Sequence, residues 1–321
     1  MSPSLSLAYL VFEASGLADW RRFCDRVLGL PQPSVNTDGS LGFQVDARCQ
    51  RLVVQAGPRD DVVALGFDCG DDAALDALLA RLAGLGHTAT AAGEALRAAR
   101  RVRRLHVLLD PDGNRVELCT GLAAAAQPFA SDAFPDGFVT GDLGLGHAVL
   151  VSRQVPRMEA FYVDALGFGV TERLDTRVGP IRLSGVFMHC NRRHHTLALF
   201  DLPMAKRMHH FMLQAPAVRD IGLAYERAQQ CKVPMSLDLG QHPAPDSTLS
   251  FYGATPSGFD FEIGAGTQEI EPQQWQSRQM SQTSSWGHKP RLRLQLKMAA
   301  GLVRQKMGRG HRAAPNETEA A

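Results

Sequence analysis

Apolar positions come along the chain in short bursts, and their period changes from one burst to the next. Residues 145–151 read L-G-H-A-V-L-V, apolar and partly β-branched, the length of a strand. Residues 157–166 switch to helical spacing, with Met158, Phe161, Tyr162 and Ala165 available for one face. Gly167 follows the last apolar position, where a helix commonly stops. Strands are expected at 186–188 and 196–200. A second unit opens with a strand at 208–213 and continues as an amphipathic helix over 218–231 through Ile221, Leu223, Ala224 and Ala228. It ends with strands at 248–252 and 259–263. Between these two, T-P-S-G predicts a turn, because Pro256 fixes φ and Gly258 tolerates positive φ.

The first half repeats this pattern. L-A-Y-L-V-F at 7–12 answers L-G-H-A-V-L at 145–150, and Phe23, Leu28 and Gly29 answer Phe161, Leu166 and Gly167 at one offset, 161 − 23 = 138. D-P-D-G-N-R-V-E at 110–117 answers T-P-S-G-F-D-F-E at 255–262, at an offset of 145. A few loop insertions account for the drift. The expected fold class is α+β: two tandem domains, each of two βαβββ modules forming a cupped mixed sheet. We expect an N-terminal, metal-free structural domain over 1–130 and a C-terminal catalytic domain over 141–290, joined through the Ala-rich, then Pro/Gly/Asp-punctuated stretch 122–142. The segment 291–321 holds seven Lys/Arg and is expected to be a solvated, flexible basic tail, although its first part could form a short basic helix.

Composition narrows the classes. With 34 basic and 33 acidic residues the formal charge is +1, which gives no broad field for nucleic acid or an anionic membrane. No apolar run is long enough to span a bilayer, and the N-terminus lacks a basic n-region. Six scattered cysteines without a C-x-x-C pair suit reduced thiols, so a cytoplasmic location is expected.

Comparing the two copies isolates candidate chemistry. Tyr9 stands where the second copy has His147, and Gly66 is placed opposite His210; only the glutamate is shared, as Glu117 and Glu262. Two histidines and one carboxylate are the ligand set of non-haem iron(II) oxygenases, because three ligands on one face leave the other open. Side chains alternate along a strand, so at most one of His209 and His210 points at a metal. Glu262 lies between apolar Phe261 and Ile263, a place charge rarely takes unless paired or metal-bound.

L-G-H-A-V-L, H-C-N-R-R-H-H-T-L-A at 189–198, R-M-H-H-F-M-L at 207–213, S-F-Y-G-A-T-P-S-G-F-D-F-E at 250–262 and W-G-H-K at 286–289 together resemble the type I extradiol dioxygenases of the vicinal oxygen chelate superfamily. The likeness is strongest to 2,3-dihydroxybiphenyl 1,2-dioxygenases and steroid-catechol dioxygenases, and runs from about Ser4 to His288. It implies an Fe(II) cofactor held by His147, His210 and Glu262, and an acid/base at His195, with His194 facing the other way. It implies further catalytic roles for Tyr252 and His242 and substrate contact at Asp246. Phe187 and Val149 are read equally as pocket walls or as core. The family's G-x-H-x-N-D is here G-Q-H-P-A-P-D at 240–246, one residue longer, which displaces His242. The implied reaction inserts both atoms of O2 beside the diol of an aryl or polycyclic catechol, giving a ring-opened semialdehyde or keto acid in bacterial aromatic or steroid degradation. The implied partners are that catechol and O2, with a homo-oligomer expected. A glyoxalase-type metal lyase or isomerase, or a non-enzymatic ligand-binding member of the superfamily, is the alternative.

Overall fold

The computed structural model describes residues 5–178 and 181–310. It contains two mixed sheets. The first uses β1 (Ser6–Ala14), β2 (Ser34–Val35), β3 (Leu41–Phe43), β4 (Leu52–Ala56), β5 (Asp61–Asp68), β6 (Thr90–Ala91), β7 (Arg104–Leu109) and β8 (Arg115–Thr120), in the order β2-β3-β4-β1-β5-β8-β7-β6. The second uses β9 (His147–Val151), β10 (Gly169–Val178), β11 (Ile181–His189), β12 (Leu197–Asp201), β13 (Met208–Gln214), β14 (Met235–Gln241), β15 (Leu249–Ala254), β16 (Asp260–Ala265) and β17 (Arg278–Met280), in the order β14-β15-β16-β13-β9-β12-β11-β10-β17. At the centre of each, an antiparallel pair is flanked by parallel neighbours: β1 with β5 between β4 and β8, and β9 with β13 between β12 and β16. This shared pairing is the duplication the sequence announced.

Helices α1 (Leu17–Arg26), α2 (Asp72–Gly84), α3 (Glu94–Arg100), α4 (Val155–Ala160) and α5 (Val218–Gln230) connect the strands. The expected helix at 157–166 is α4 followed by a π-helical turn over Phe161–Ala165, and its four apolar residues are all buried. On α5, Ile221, Ala224 and Ala228 are buried, but Leu223 is 49% exposed, because two residues from Ile221 is about half a turn of helix. The long hairpin β10–β11 and strand β14 exceed what the short apolar runs suggested.

Alternation along the central strands gives each sheet two different faces. One face packs against the other half: Phe12 stacks on Trp20 at 5.2 Å and meets Phe259 at 4.9 Å and Phe211 at 5.5 Å, while Phe23 meets Phe261 at 5.1 Å. The opposite face is the inside of a cup. In the first cup, Tyr9 Oη donates to Glu117 Oε2 at 2.7 Å, Arg100 Nε donates to the same oxygen at 3.0 Å, and Arg115 pairs with Oε1. Buried guanidinium groups therefore meet the carboxylate charge in this copy.

Strand register corrects one equivalence. Gly66 lies across from Tyr9 and Glu117, as Met212 lies across from His147 and Glu262. The counterpart of His210 is thus Ala64. A side chain at Gly66 would overlap the Tyr9 ring. The first cup still lacks both imidazoles.

The segment expected as a solvated tail forms a helix, α6 (Leu292–Gly310); residues 311–321 lie outside the described residues. Counting its charges concealed an i, i+4, i+8 apolar row, Leu294, Met298 and Leu302, that lines the second cup.

Candidate metal centre

Three adjacent strands, β16, β13 and β9, carry Glu262, His210 and His147. Phe211 points into the core between the sheets, so His210 points into the cup; an irregularity in the ladder between Met208 and His210 leaves His209 lining the cavity too, outside the triad. His209 lies beside His210, with their Nδ1 atoms 2.6 Å apart. His147 Nε2 is 3.2 Å from His210 Nε2 and 3.1 Å from Glu262 Oε2, and His210 Nε2 is 3.2 Å from that same oxygen. Three lone-pair donors aimed at one spot repel one another, and a cation relieves all three contacts. A divalent ion ~2.1–2.2 Å from each donor, with right angles between its bonds, gives edges of roughly 3.0–3.1 Å. The observed triangle fits that, and among the described residues no fourth His, Cys, Asp or Glu joins the group.

Burial disfavours the Glu262 carboxylate, but the neighbouring His147, His210 and His242 side chains outweigh it and hold its pKa well below the usual range. The acid is therefore ionised, as a metal ligand must be. Burial lowers the pKa of His147, which keeps the imidazole neutral and able to coordinate.

Tyr252, on β15 across from Glu262, donates its hydroxyl proton to Glu262 Oε1 at 2.8 Å. His242 Nε2 lies 2.8 Å from that hydroxyl, and its Nδ1 lies 2.7 Å from the Thr283 carbonyl. Counting protons, Tyr252 has one and spends it on Glu262, so His242 Nε2 must donate. Nδ1 must also donate, since a carbonyl only accepts. His242 is therefore an imidazolium. Burial opposes its charge, yet Glu262 and Asp246 raise its pKa to about 9. The lengthened loop still delivers this histidine to Tyr252. His288 follows consistently: burial, then the charge of His242 4.6 Å away, brings its pKa down to about 4.

His195 precedes β12, with its ring 4.1 Å from His147 and 5.0 Å from Phe187. Burial first, then His147 and His194, push its pKa well down, so it rests as a neutral base. His194 does not line the cavity but packs beside it: its Nδ1 is 3.1 Å from that of His195, and its Nε2 is 3.5 Å from Glu172 Oε2. Acceptor atoms of His194, His195 and Asp246 all lie within 4.8 Å of one another. Asp246 itself accepts from the Thr248 hydroxyl. Sequence reasoning missed Glu172, which is buried in β10 with a pKa raised to about 7 by burial and then by Asp246. The only signal was a carboxylate placed next to Thr171 and Val170.

The triad, Glu172, His195, His209, His242, Asp246, Tyr252 and His288 line one cavity of about 440 Å³; His194 does not. Its floor is polar, formed by the triad, His195, His242 and Tyr252; Val149, Phe187, Phe200, Leu202 and Met280 make it apolar above. A larger cleft of about 1010 Å³ lies between the halves, lined by Asp46, Arg51, Asn191 and Glu271, but none of the triad reaches it.

Residues 144–263 match the Glyoxalase/Bleomycin resistance protein/Dioxygenase superfamily, and residues 7–57 match the first domain of dihydroxybiphenyl dioxygenase. The 3-methylcatechol 2,3-dioxygenase of Pseudomonas putida is 40% identical over 88% of this chain and 97% of its own. The chain belongs to the extradiol ring-cleavage dioxygenases of the vicinal oxygen chelate superfamily. Two further extradiol relatives are the biphenyl-2,3-diol 1,2-dioxygenase of Paraburkholderia xenovorans and the iron-dependent extradiol dioxygenase of Rhodococcus jostii. They are 36% and 33% identical, over 88% of this chain and 95% and 96% of theirs. A crystal structure of a catechol 2,3-dioxygenase superposes with a TM-score of 0.84 at 30% identity, covering 91% of this chain and 96% of that one. No helix among the described residues is long and apolar enough to cross a membrane.

Proposed function

We propose that this extradiol dioxygenase uses Fe(II), held by His147, His210 and Glu262, to insert both atoms of O2 beside the diol of an aryl or polycyclic catechol. The product would be a ring-opened semialdehyde or keto acid. The observation carrying this reading is the triangle of three donors, neutral nitrogens and an ionised oxygen, at the polar floor of an otherwise apolar cavity. Two histidines and one carboxylate with an open face are the donor set of non-haem Fe(II) oxygenases. The relatives named for biphenyl-2,3-diol and for iron support the substrate class and the metal.

Iron bound here would supply Lewis acidity toward the catechol hydroxyls and an electron path to O2. The rest falls to the chain. Neutral His195, beside the triad, accepts the catechol proton and, once charged, can return it to a developing oxygen anion; such transfers contribute typically ~10²–10⁴-fold. Tyr252 occupies Glu262 Oε1, so that Oε2 alone faces the two imidazoles. The His242 cation fixes Tyr252 and adds positive charge where negative charge builds on oxygen. Asp246 balances charge at the His194–His195 pair. Val149 and Phe187 pack against the ring and exclude water. We place the enzyme in the cytoplasm as a homo-oligomer.

The test is anaerobic reconstitution with Fe(II), then exposure to O2 with a panel of catechols. A yellow ring-opened product and one O2 consumed per turnover are expected. Activity restored by Ni(II) or Zn(II) on a thiol-aldehyde adduct, without O2 uptake, would instead point to glyoxalase chemistry.

A further inference from the structure

We propose that the C-terminal helix α6 is the far wall of the catechol pocket, and that Met298 and Leu302 on it select catechols bearing a flat apolar substituent. This rests on the dioxygenase reading above and adds residues that lie beyond the family motifs, which end at Lys289.

The cavity is polar at one end and apolar at the other, so a molecule filling it carries its diol at one end and an apolar remainder at the other. That remainder meets α6. Leu294, Met298 and Leu302 recur every four residues and so share one helix face. Phe187, Phe200 and Leu202 line the same cavity. Met298 also packs against the small cluster formed by Val149, Leu174, Ala198, Phe200 and Leu202, of which Val149, Phe200 and Leu202 line the cavity themselves.

Two anchors hold the helix there. Arg293 Nη1 lies 3.2 Å from Asp260 Oδ1 and 3.3 Å from the Ser236 hydroxyl, and Lys297 Nζ lies 2.7 Å from the Gly258 carbonyl and 3.4 Å from Asp260 Oδ1. Asp260 is 1% exposed, so its charge is uncompensated if the helix leaves. It sits two residues before Glu262 on β16, which ties the helix to the strand bearing the carboxylate of the triad. At the other end, Gly301 rests on the Pro203 carbonyl so closely that a Cβ at 301 would overlap that oxygen. Two of the basic residues that made this segment look like a solvated tail, Arg293 and Lys297, are its fastenings. Relatives matched over 95–97% of their own length leave 100 − 88 = 12% of this chain without a counterpart, so this wall need not be common to them.

The experiment uses the full-length, Fe(II)-loaded chain. The ratio of kcat/KM for 2,3-dihydroxybiphenyl to that for catechol is measured for the parent, Met298→Asp, Leu302→Asp and Gly301→Ala. The two acidic variants put charge against the substituent, and the alanine lifts the helix without altering a lining residue. The ratio should fall about tenfold or more in the acidic variants and in the same direction in Gly301→Ala. Hydrogen exchange under argon supplies a readout independent of turnover. The amides of 292–304 should gain protection when 2,3-dihydroxybiphenyl binds, and less when catechol binds. A ratio within twofold of the parent in all three variants overturns the proposal. So does exchange in α6 that neither ligand changes. If the parent cleaves neither catechol, the dioxygenase reading fails, and the exchange measurement alone decides whether α6 contacts the ligand.

Discussion

Replacing Tyr252 with phenylalanine removes one hydroxyl that is bonded on both sides. The oxygen accepts from the His242 cation at 2.8 Å and donates to ionised Glu262 at 2.8 Å. Hydrogen bonds to charged groups contribute ~1.5–3 kcal/mol each, so the gross loss is roughly 3–6 kcal/mol. Some returns, because His242 Nε2 already stands 3.6 Å from Glu262 Oε1 and a small ring movement makes that pair direct. Recovering one of the two bonds leaves a net cost of about 1.5–3 kcal/mol. Because the lost bonds aim Glu262 at the two imidazoles, the cost falls on metal binding. At ~1.4 kcal/mol per decade it becomes roughly 10–100-fold weaker affinity. The usual effect of mutating outer partners of metal ligands, ~10–100-fold, agrees by a separate route. The assay is an anaerobic Fe(II) titration against a competing chelator, with thermal melting of the metal-free protein as a control for folding. A dissociation constant within threefold of the parent, in a folded variant, would show that the Tyr252 hydroxyl does not position the carboxylate.

His195→Gln should bind iron normally, since no donor atom of the triad is touched, yet lose about 10²–10⁴-fold in kcat; a loss under threefold at full iron content refutes its proton-transfer role. Arg100→Met should lower unfolding free energy by about 3 kcal/mol, at the low end for a broken buried pair because Arg115 still faces Glu117; urea denaturation reads this, and a change under ~1 kcal/mol counts against it. Glu172 has a folded-state pKa of about 7 against an ordinary 4.5, so between those pH values the native state holds the extra proton. Stability should therefore fall as pH rises from about 4.5 to 7 and level off above. Glu172→Gln should remove that slope, seen as urea midpoints at pH 5 and pH 8 that differ less than in the parent; an unchanged slope assigns it to other groups.

Much of this was legible in the sequence because two copies could be laid side by side. The period changes gave the strand–helix alternation, and Glu262 between Phe261 and Ile263 stood where charge is rare unless paired or ligating. The converging partners of Glu262 were less legible. Matching by motif put Gly66 opposite His210, an offset of 210 − 66 = 144, while the pairing of Gly66 with Tyr9 and of Met212 with His147 makes the offset there 212 − 66 = 146 and Ala64 the counterpart. No spacing rule reveals in advance how loop insertions are distributed between the strands. Glu172 escaped notice because its surroundings come from strands and loops far away in sequence. The charge of the last segment suggested solvent, since nothing local shows that Asp260, a distant buried acid, needs Arg293 and Lys297.

One consequence follows from the aromatic packing between the sheets. His210 reaches the metal centre from one side of its strand, and its neighbour Phe211 presses from the other side onto Phe12 and Phe259. The half without the histidine pair thus acts as the anvil against which the reactive half is braced. Play in Phe12 is play in the seat of an imidazole, so the first half is held to the tolerances of the donor triangle in the second.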